Sequence, residues 1–164
     1  MKKYALIFLF ATFLVACNED KTVDVTVMPE ETTAGANTFG CVVDGWLYVG
    51  GRFSDEYHNL VADRFPSINF RYNAGANNMD VVVKVEESGY IAFTINDLYT
   101  PVASSQLRCT YSNARFLQDR KSTEGKDLGS GTVELTRFDK AEGIVSGRFW
   151  GSKITHGQFD VKYK

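Results

Sequence analysis

Between Val43 and Trp46 the chain carries Asp44-Gly45, a dipeptide that accepts the two positive backbone φ angles of a type I′ turn. Apolar residues flank it on both sides, so it predicts a two-residue hairpin whose register follows from the turn. Val43 faces Trp46, Val42 faces Leu47, Cys41 faces Tyr48 and Gly40 faces Val49. Facing residues share a side of the sheet. Phe39, Cys41, Val43, Trp46 and Tyr48 therefore lie on one side, with Val42, Leu47 and Val49 on the other. Both sides are apolar, and such a hairpin requires cover on both.

Period-two patterning continues through most of the chain beyond residue 67. Residues 68–72 read as a strand and 73–78 as a Gly/Asn-rich loop. Over residues 80–96, a three-residue loop Glu87-Ser88-Gly89, with Gly89 in the left-handed region, pairs Val85 with Ile91, Val83 with Phe93 and Val81 with Ile95 on one face. Past a corner at Tyr99-Thr100-Pro101, Leu107, Cys109 and Tyr111 alternate inward while Arg108, Thr110 and Ser112 alternate outward. Residues 118–130 read as a charged loop. Residues 132–139 and 143–150 form a hairpin that faces Phe138 with Ile144, Val133 with Phe149 and Glu134 with Arg148. In the last strand Phe159, Val161 and Tyr163 point inward and Asp160 and Lys162 outward. One stretch breaks the pattern: Tyr57, Leu60, Val61 and Arg64 recur at helical spacing between a Ser54 cap and Pro66. The expectation is an all-β fold, an antiparallel sandwich or barrel of about nine strands with one short helix.

The first 37 residues do not belong to that pattern. Lys2 and Lys3 precede an apolar run over residues 4–16, which is shorter than the roughly 20 residues that cross a bilayer as a helix. The run reads as a signal peptide. It ends Leu14-Val15-Ala16-Cys17, which resembles the lipobox of bacterial lipoproteins; the resemblance implies a diacylglyceryl group on the Cys17 thiol and cleavage before it. The predicted organisation is a signal peptide over 1–16, a lipidated Cys17 with a flexible polar tether over 17–37, and a single β domain over 38–164. Glu19 and Asp20 directly after Cys17 resemble the acidic export signal of Bacteroidota surface lipoproteins. That favours the outer surface of the outer membrane over its periplasmic face. The formal charge of the 164-residue chain is −2, and loss of Lys2 and Lys3 with the leader makes it −4. An acidic balance argues against nucleic acid as a partner.

Gly35-Ala-Asn-Thr-Phe-Gly-Cys41, running on to Trp46, and Gly157-Gln-Phe-Asp-Val-Lys-Tyr163 resemble the opening and closing motifs of a family of small, uncharacterised, β-rich lipoproteins of Bacteroidota. The two motifs bracket the domain. The resemblance implies location and a single-domain architecture, and it carries no activity.

Residues that could do chemistry are sparse. His58 and His156 fall in different elements without a second histidine at ligand spacing, so no metal is expected. The acids Asp55 and Glu56 beside His58 read as first-turn partners of the helix dipole. No nucleophile elbow, phosphate loop or dinucleotide fingerprint is present, and neither catalytic residues nor cofactors are assigned. Cys41 and Cys109 remain after Cys17 is acylated; burial as free thiols is favoured over a disulfide. Trp46, Tyr48 and Trp150 are the candidate ligand-binding residues, with core packing as the competing role for aromatics in a β chain.

The functional expectation is a surface-anchored, non-enzymatic module that binds an extracellular glycan or protein and touches the membrane through Cys17. The alternatives are a lipocalin-like barrel carrying a small apolar ligand and a hydrolase with an unrecognised carboxylate pair. The anchor is directly testable. Mass spectrometry of membrane-extracted protein is expected to return a lipid-modified peptide that begins at Cys17; unmodified Cys17 or an intact Met1 peptide as the main form overturns the localisation.

Overall fold

The computed structural model describes residues 28–50, 67–86, 88–98 and 107–163. Nine strands follow in chain order: β1 (Thr38–Val43), β2 (Trp46–Val49), β3 (Ile68–Asn73), β4 (Asn78–Glu86), β5 (Gly89–Asn96), β6 (Leu107–Leu117), β7 (Lys126–Asp139), β8 (Ile144–Gly151) and β9 (Ile154–Lys162). All pairings are antiparallel, and they make one sheet in the order β2-β1-β9-β8-β7-β6-β5-β4-β3. β3 to β9 form a meander, and the β1–β2 hairpin joins it by pairing β1 with β9. The sheet curls until its two ends approach: a Cβ on Gly50, just past β2, would sit 2.5 Å from Val83 and 3.2 Å from Ile68. The architecture is a curled, barrel-like single sheet, because the β1–β9 ladder makes the hydrogen bonding continuous. The described residues contain no helix. The predicted helix over residues 54–66 and the corner at 99–101 lie outside them.

The core fills the concave side, as the alternation of buried residues requires. Phe149 is fully buried and is the hub of a ring cluster, with centroids of Phe93, Phe39, Phe159 and Tyr111 at 5.1, 5.5, 6.0 and 6.1 Å. Phe70 extends the cluster from Phe159 at 5.1 Å. Each fully buried ring contributes about 2–3 kcal/mol through removal from water.

The Asp44-Gly45 hairpin has the register its turn predicts, with φ of 49° and 86° at the two turn residues. Two other hairpins differ. In β4–β5, Val83 faces Ile91 and Val81 faces Phe93, one repeat away from the expected pairs, because a bulge between Lys84 and Glu86 absorbs a residue and lets Glu86 pair with Gly89. Gly89 does not have a positive φ; its hydrogen side chain matters because a Cβ would stand 2.7 Å from the Phe116 ring. The slip is by two residues, so every side chain keeps its face. In β7–β8, Val133 faces Phe149 and Glu134 faces Arg148 as expected, but a bulge between Leu135 and Arg137 moves Phe138 opposite Val145 instead of Ile144. β7 also begins earlier than predicted, at Lys126, and takes in part of the charged loop.

A further difference concerns the tether. Residues 28–37, predicted to be flexible, are laid across the convex side as a strap. Met28 and Pro29 cover Gly40, Glu31 pairs with Arg148 (2.8 Å to Nε), and Arg137 donates to the Thr33 carbonyl (2.7 Å). The cause is Asp160. It points outward as predicted, yet it is only 1% exposed. Its carboxylate accepts from the backbone N–H groups of Ala34 (3.0 Å), Gly35 (2.8 Å) and Ala36 (3.0 Å), from the Ser146 hydroxyl (2.6 Å) and from the Thr32 hydroxyl. Gly35 and Asn37 have positive φ, and the three amides of this stretch wrap the anion as a backbone nest does. Burial by itself raises the Asp160 pKa, but the bonds from Ser146, Thr32, Ala36 and Gly35 outweigh it and lower the value to about 2.

Two outcomes are expected. Because the folded carboxyl titrates below its ordinary value, its contribution of about 2 kcal/mol is complete above pH ~4 and is lost as the pH falls toward ~2. Asp160→Asn, which turns one acceptor into a donor facing donors, should cost about 3 kcal/mol at pH 7 and remove that acid limb; urea unfolding from pH 2 to 7 measures both. Separately, Cys41 and Cys109 are buried free thiols. Reduction should therefore leave the unfolding midpoint unchanged, whereas a disulfide closing that loop would be worth about 4 kcal/mol.

Candidate functional site

With rings filling the concave side, the exposed side chains of the described residues lie on the convex face and at the rims. Phe149 points inward, so its strand neighbours Arg148 and Trp150 point outward and are exposed. Trp150 faces Thr132 on β7, Thr132 faces Thr110 on β6, and Thr110 faces Asn96 on β5. This row crosses four strands and consists of one indole followed by hydroxyls and an amide. A charged row runs beside it, in which Arg108 faces Glu134 and Glu134 faces Arg148. The Asn96 amide donates to Ser112 (3.1 Å), which ties the far end of the polar row to the next position on β6.

Trp46 and Trp150 are the two exposed large hydrophobic residues among those described, at 61% and 38%. The structure does not bring them together. Trp46 shares the concave side with Val43 and Cys41 but stands at the rim, where β2 begins. Next to it, Lys126 reaches Asp44 at 2.7 Å, and this hydrogen bond holds the Asp44 carboxyl below its usual range. Tyr48 is partly buried with its ring 5.5 Å from Phe116, and burial, with Glu86 nearby, pushes its hydroxyl pKa up. Tyr48 is therefore a packing residue at the edge of the core and does not extend an exposed platform from Trp46.

The remaining candidates separate clearly. Cys17 and His58 lie outside the described residues. His156 is exposed on β9 at a positive φ of 49°. Cys41 is fully buried and Cys109 nearly so; burial raises both thiols, Cys109 to about 11 with Asp97 adding to the effect, so neither is a ready nucleophile. Burial and then Cys41 raise the Tyr111 hydroxyl to about 12. Asp160, the buried carboxylate among the described residues, has its oxygens committed to the strap and to Ser146. Between β1, β5, β6, β8 and β9 the described interior is occupied by rings in mutual contact.

Sequence reasoning named Trp150 but missed the residues beside it. The signal was present in the outward alternation of Arg108 and Thr110 and in the Glu134–Arg148 pair. What was missing was the strand order that aligns them. No family model, curated protein or solved structure matches this chain.

Iodide quenching of the purified protein is expected to reach both indoles and to quench Trp46 more strongly than Trp150. Trp46→Phe and Trp150→Phe assign the two contributions, and equal or absent quenching contradicts the difference in exposure between the two rings.

Proposed function

We propose that this chain is a surface lipoprotein, held in the outer membrane through an acylated Cys17, whose β domain binds an extracellular glycan without catalysis. The observation that carries the reading is the exposure of Trp150 at the head of a polar row. An indole presents a rigid apolar face at little cost in side-chain freedom. A sugar ring stacks its C–H face on such a surface and turns its hydroxyls toward neighbouring donors and acceptors. Thr132, Thr110 and Asn96 supply those groups at strand spacing, about 4.8 Å apart. Leader composition and the Glu19-Asp20 pair support the location. A protein partner is the competing occupant, and the polar character of the row, with Trp150 its sole large apolar member, favours the glycan.

The test is a glycan array probed with the full chain in detergent micelles, followed by titration of the strongest binder. Trp150→Ala should weaken that binding at least about tenfold, equivalent to about 1.4 kcal/mol, with the unfolding midpoint preserved. Trp46→Ala, on the opposite side of the sheet, should leave it within about twofold. An array with no binder, or a Trp150→Ala protein that binds as the parent does, overturns the proposal.

A further inference from the structure

We propose that the rim carrying Trp46 is a lipid-contact surface: the tip of the β1–β2 hairpin rests on the membrane, with the Trp46 indole at the level of the headgroups. The inference rests on the anchoring through Cys17 proposed above and does not depend on what binds at Trp150. Its starting observation is Trp46 itself, which at 61% is the more exposed of the two large hydrophobic residues that stand out among those described. An indole joins an apolar body to one N–H donor, and the boundary between headgroups and acyl chains satisfies both at once.

The point where the chain joins the domain brings that partner within reach. Met28 and Pro29 lie against Gly40, and the Gln158 amide donates to the Pro29 carbonyl, so the described chain begins on the outside of β1. Gly40 is three residues before Val43, and Val43 faces Trp46. At strand spacing this puts the turn end of the hairpin about 10 Å from the point of attachment. The eleven residues from Cys17 to Met28 extend at most about 40 Å. With Cys17 acylated as proposed, the β1–β2 edge is thus held next to a lipid surface at high local concentration. A contact too weak to recruit a free domain is then populated.

The hairpin tip is built to present the indole. The Asp44 N–H donates to the Lys153 carbonyl (3.3 Å) and Lys126 Nζ donates to the Asp44 carboxylate (2.7 Å), which braces the tip against the β8–β9 turn and the start of β7. The same pair compensates the acid inside the turn, so Trp46 is not preceded by an unbalanced negative charge that anionic headgroups would repel. Two residues on, the Tyr48 ring packs 5.5 Å from Phe116 and fixes β2 behind the tip. Trp150 points to the opposite side of the sheet, two strands from β1, and provides an internal reference.

The experiment uses full-length protein extracted from membranes and reconstituted into phosphatidylethanolamine–phosphatidylglycerol vesicles whose acyl chains are brominated. Trp150→Phe leaves Trp46 as the reporter and Trp46→Phe leaves Trp150. Brominated lipid should quench Trp46 at least about threefold more than Trp150, and Trp46 emission should move to shorter wavelength relative to the protein in buffer after enzymatic release from the lipid. Mass spectrometry of the same sample reads the acyl group on Cys17. An acylated protein whose Trp46 is quenched no more than Trp150 overturns the lipid contact and leaves the anchor standing. An unacylated Cys17 overturns both.

Discussion

A carboxylate buried on the outside of a sheet must be surrounded by donors, and Asp160 shows how much structure that requirement organises. Ser146 on the neighbouring strand supplies one hydroxyl, and the remaining donors come from residues more than a hundred positions earlier in the chain. Leaving that charge unpaired would cost several kcal/mol. The strap over 28–37 is therefore bound where it is for the same reason that Asp160 can be buried. It also covers β9, the strand through which β1 joins the meander. The β1–β9 ladder and the Asp160 nest secure the same junction, one with backbone hydrogen bonds and the other with a buried anion.

The concave side follows a different rule. It is filled by rings around Phe149, and dense ring packing fixes side-chain positions more tightly than a fluid apolar interior would. That filling makes the described concave side a packed core, and the exposed side chains of the described residues lie on the convex face and at the rims. On the convex face the strap takes the β1–β9 region, with Glu31 reaching as far as Arg148 on β8. Among the described residues, those the strap leaves exposed on this face include Trp150 on β8 and Arg71 on β3. The placement of the proposed site at Trp150 is in this sense a consequence of what Asp160 and Phe149 have already claimed.

Much of the fold was legible in single residues. Asp44-Gly45 specified its hairpin completely, because two positive φ angles leave one register. Alternation assigned the faces of β4 and β5, and they survived although the pairing was wrong, because the slip is by two residues, which preserves side while changing partner; in β7 the bulge turned Phe138 to the core side opposite Val145. Bulges were not legible. Those at Lys84–Glu86 and Leu135–Arg137 insert a residue that no turn signal marks, and the irregular stretch of β6 that positions Asn113 looked like ordinary strand. The strap was missed for a related reason. A polar, Thr- and Glu-rich segment is compositionally a tether, and its partner is a charge that alternation places on the solvent side. Composition cannot see a contact across most of the length of the chain.

The strap also changes what an anchored domain can reach. A tether running freely from Cys17 to residue 37 would allow about 70 Å of extension. With the chain bound from Met28 onward, roughly 11 residues separate Cys17 from the folded surface, and their full extension is about 40 Å. The attachment point is also defined, because Met28 and Pro29 lie over Gly40 on the convex side of β1. With Cys17 acylated as proposed, the chain leaves from the strap-covered part of the convex face, while Trp150 on β8 and then β7 to β3 lie progressively farther around the curl of the sheet. Curvature then turns the uncovered strands away from the point of attachment. If Cys17 is acylated as proposed, the acid that anchors the strap has a geometric consequence beyond stability: it shortens the span between the lipid and the folded surface and fixes where the chain leaves that surface.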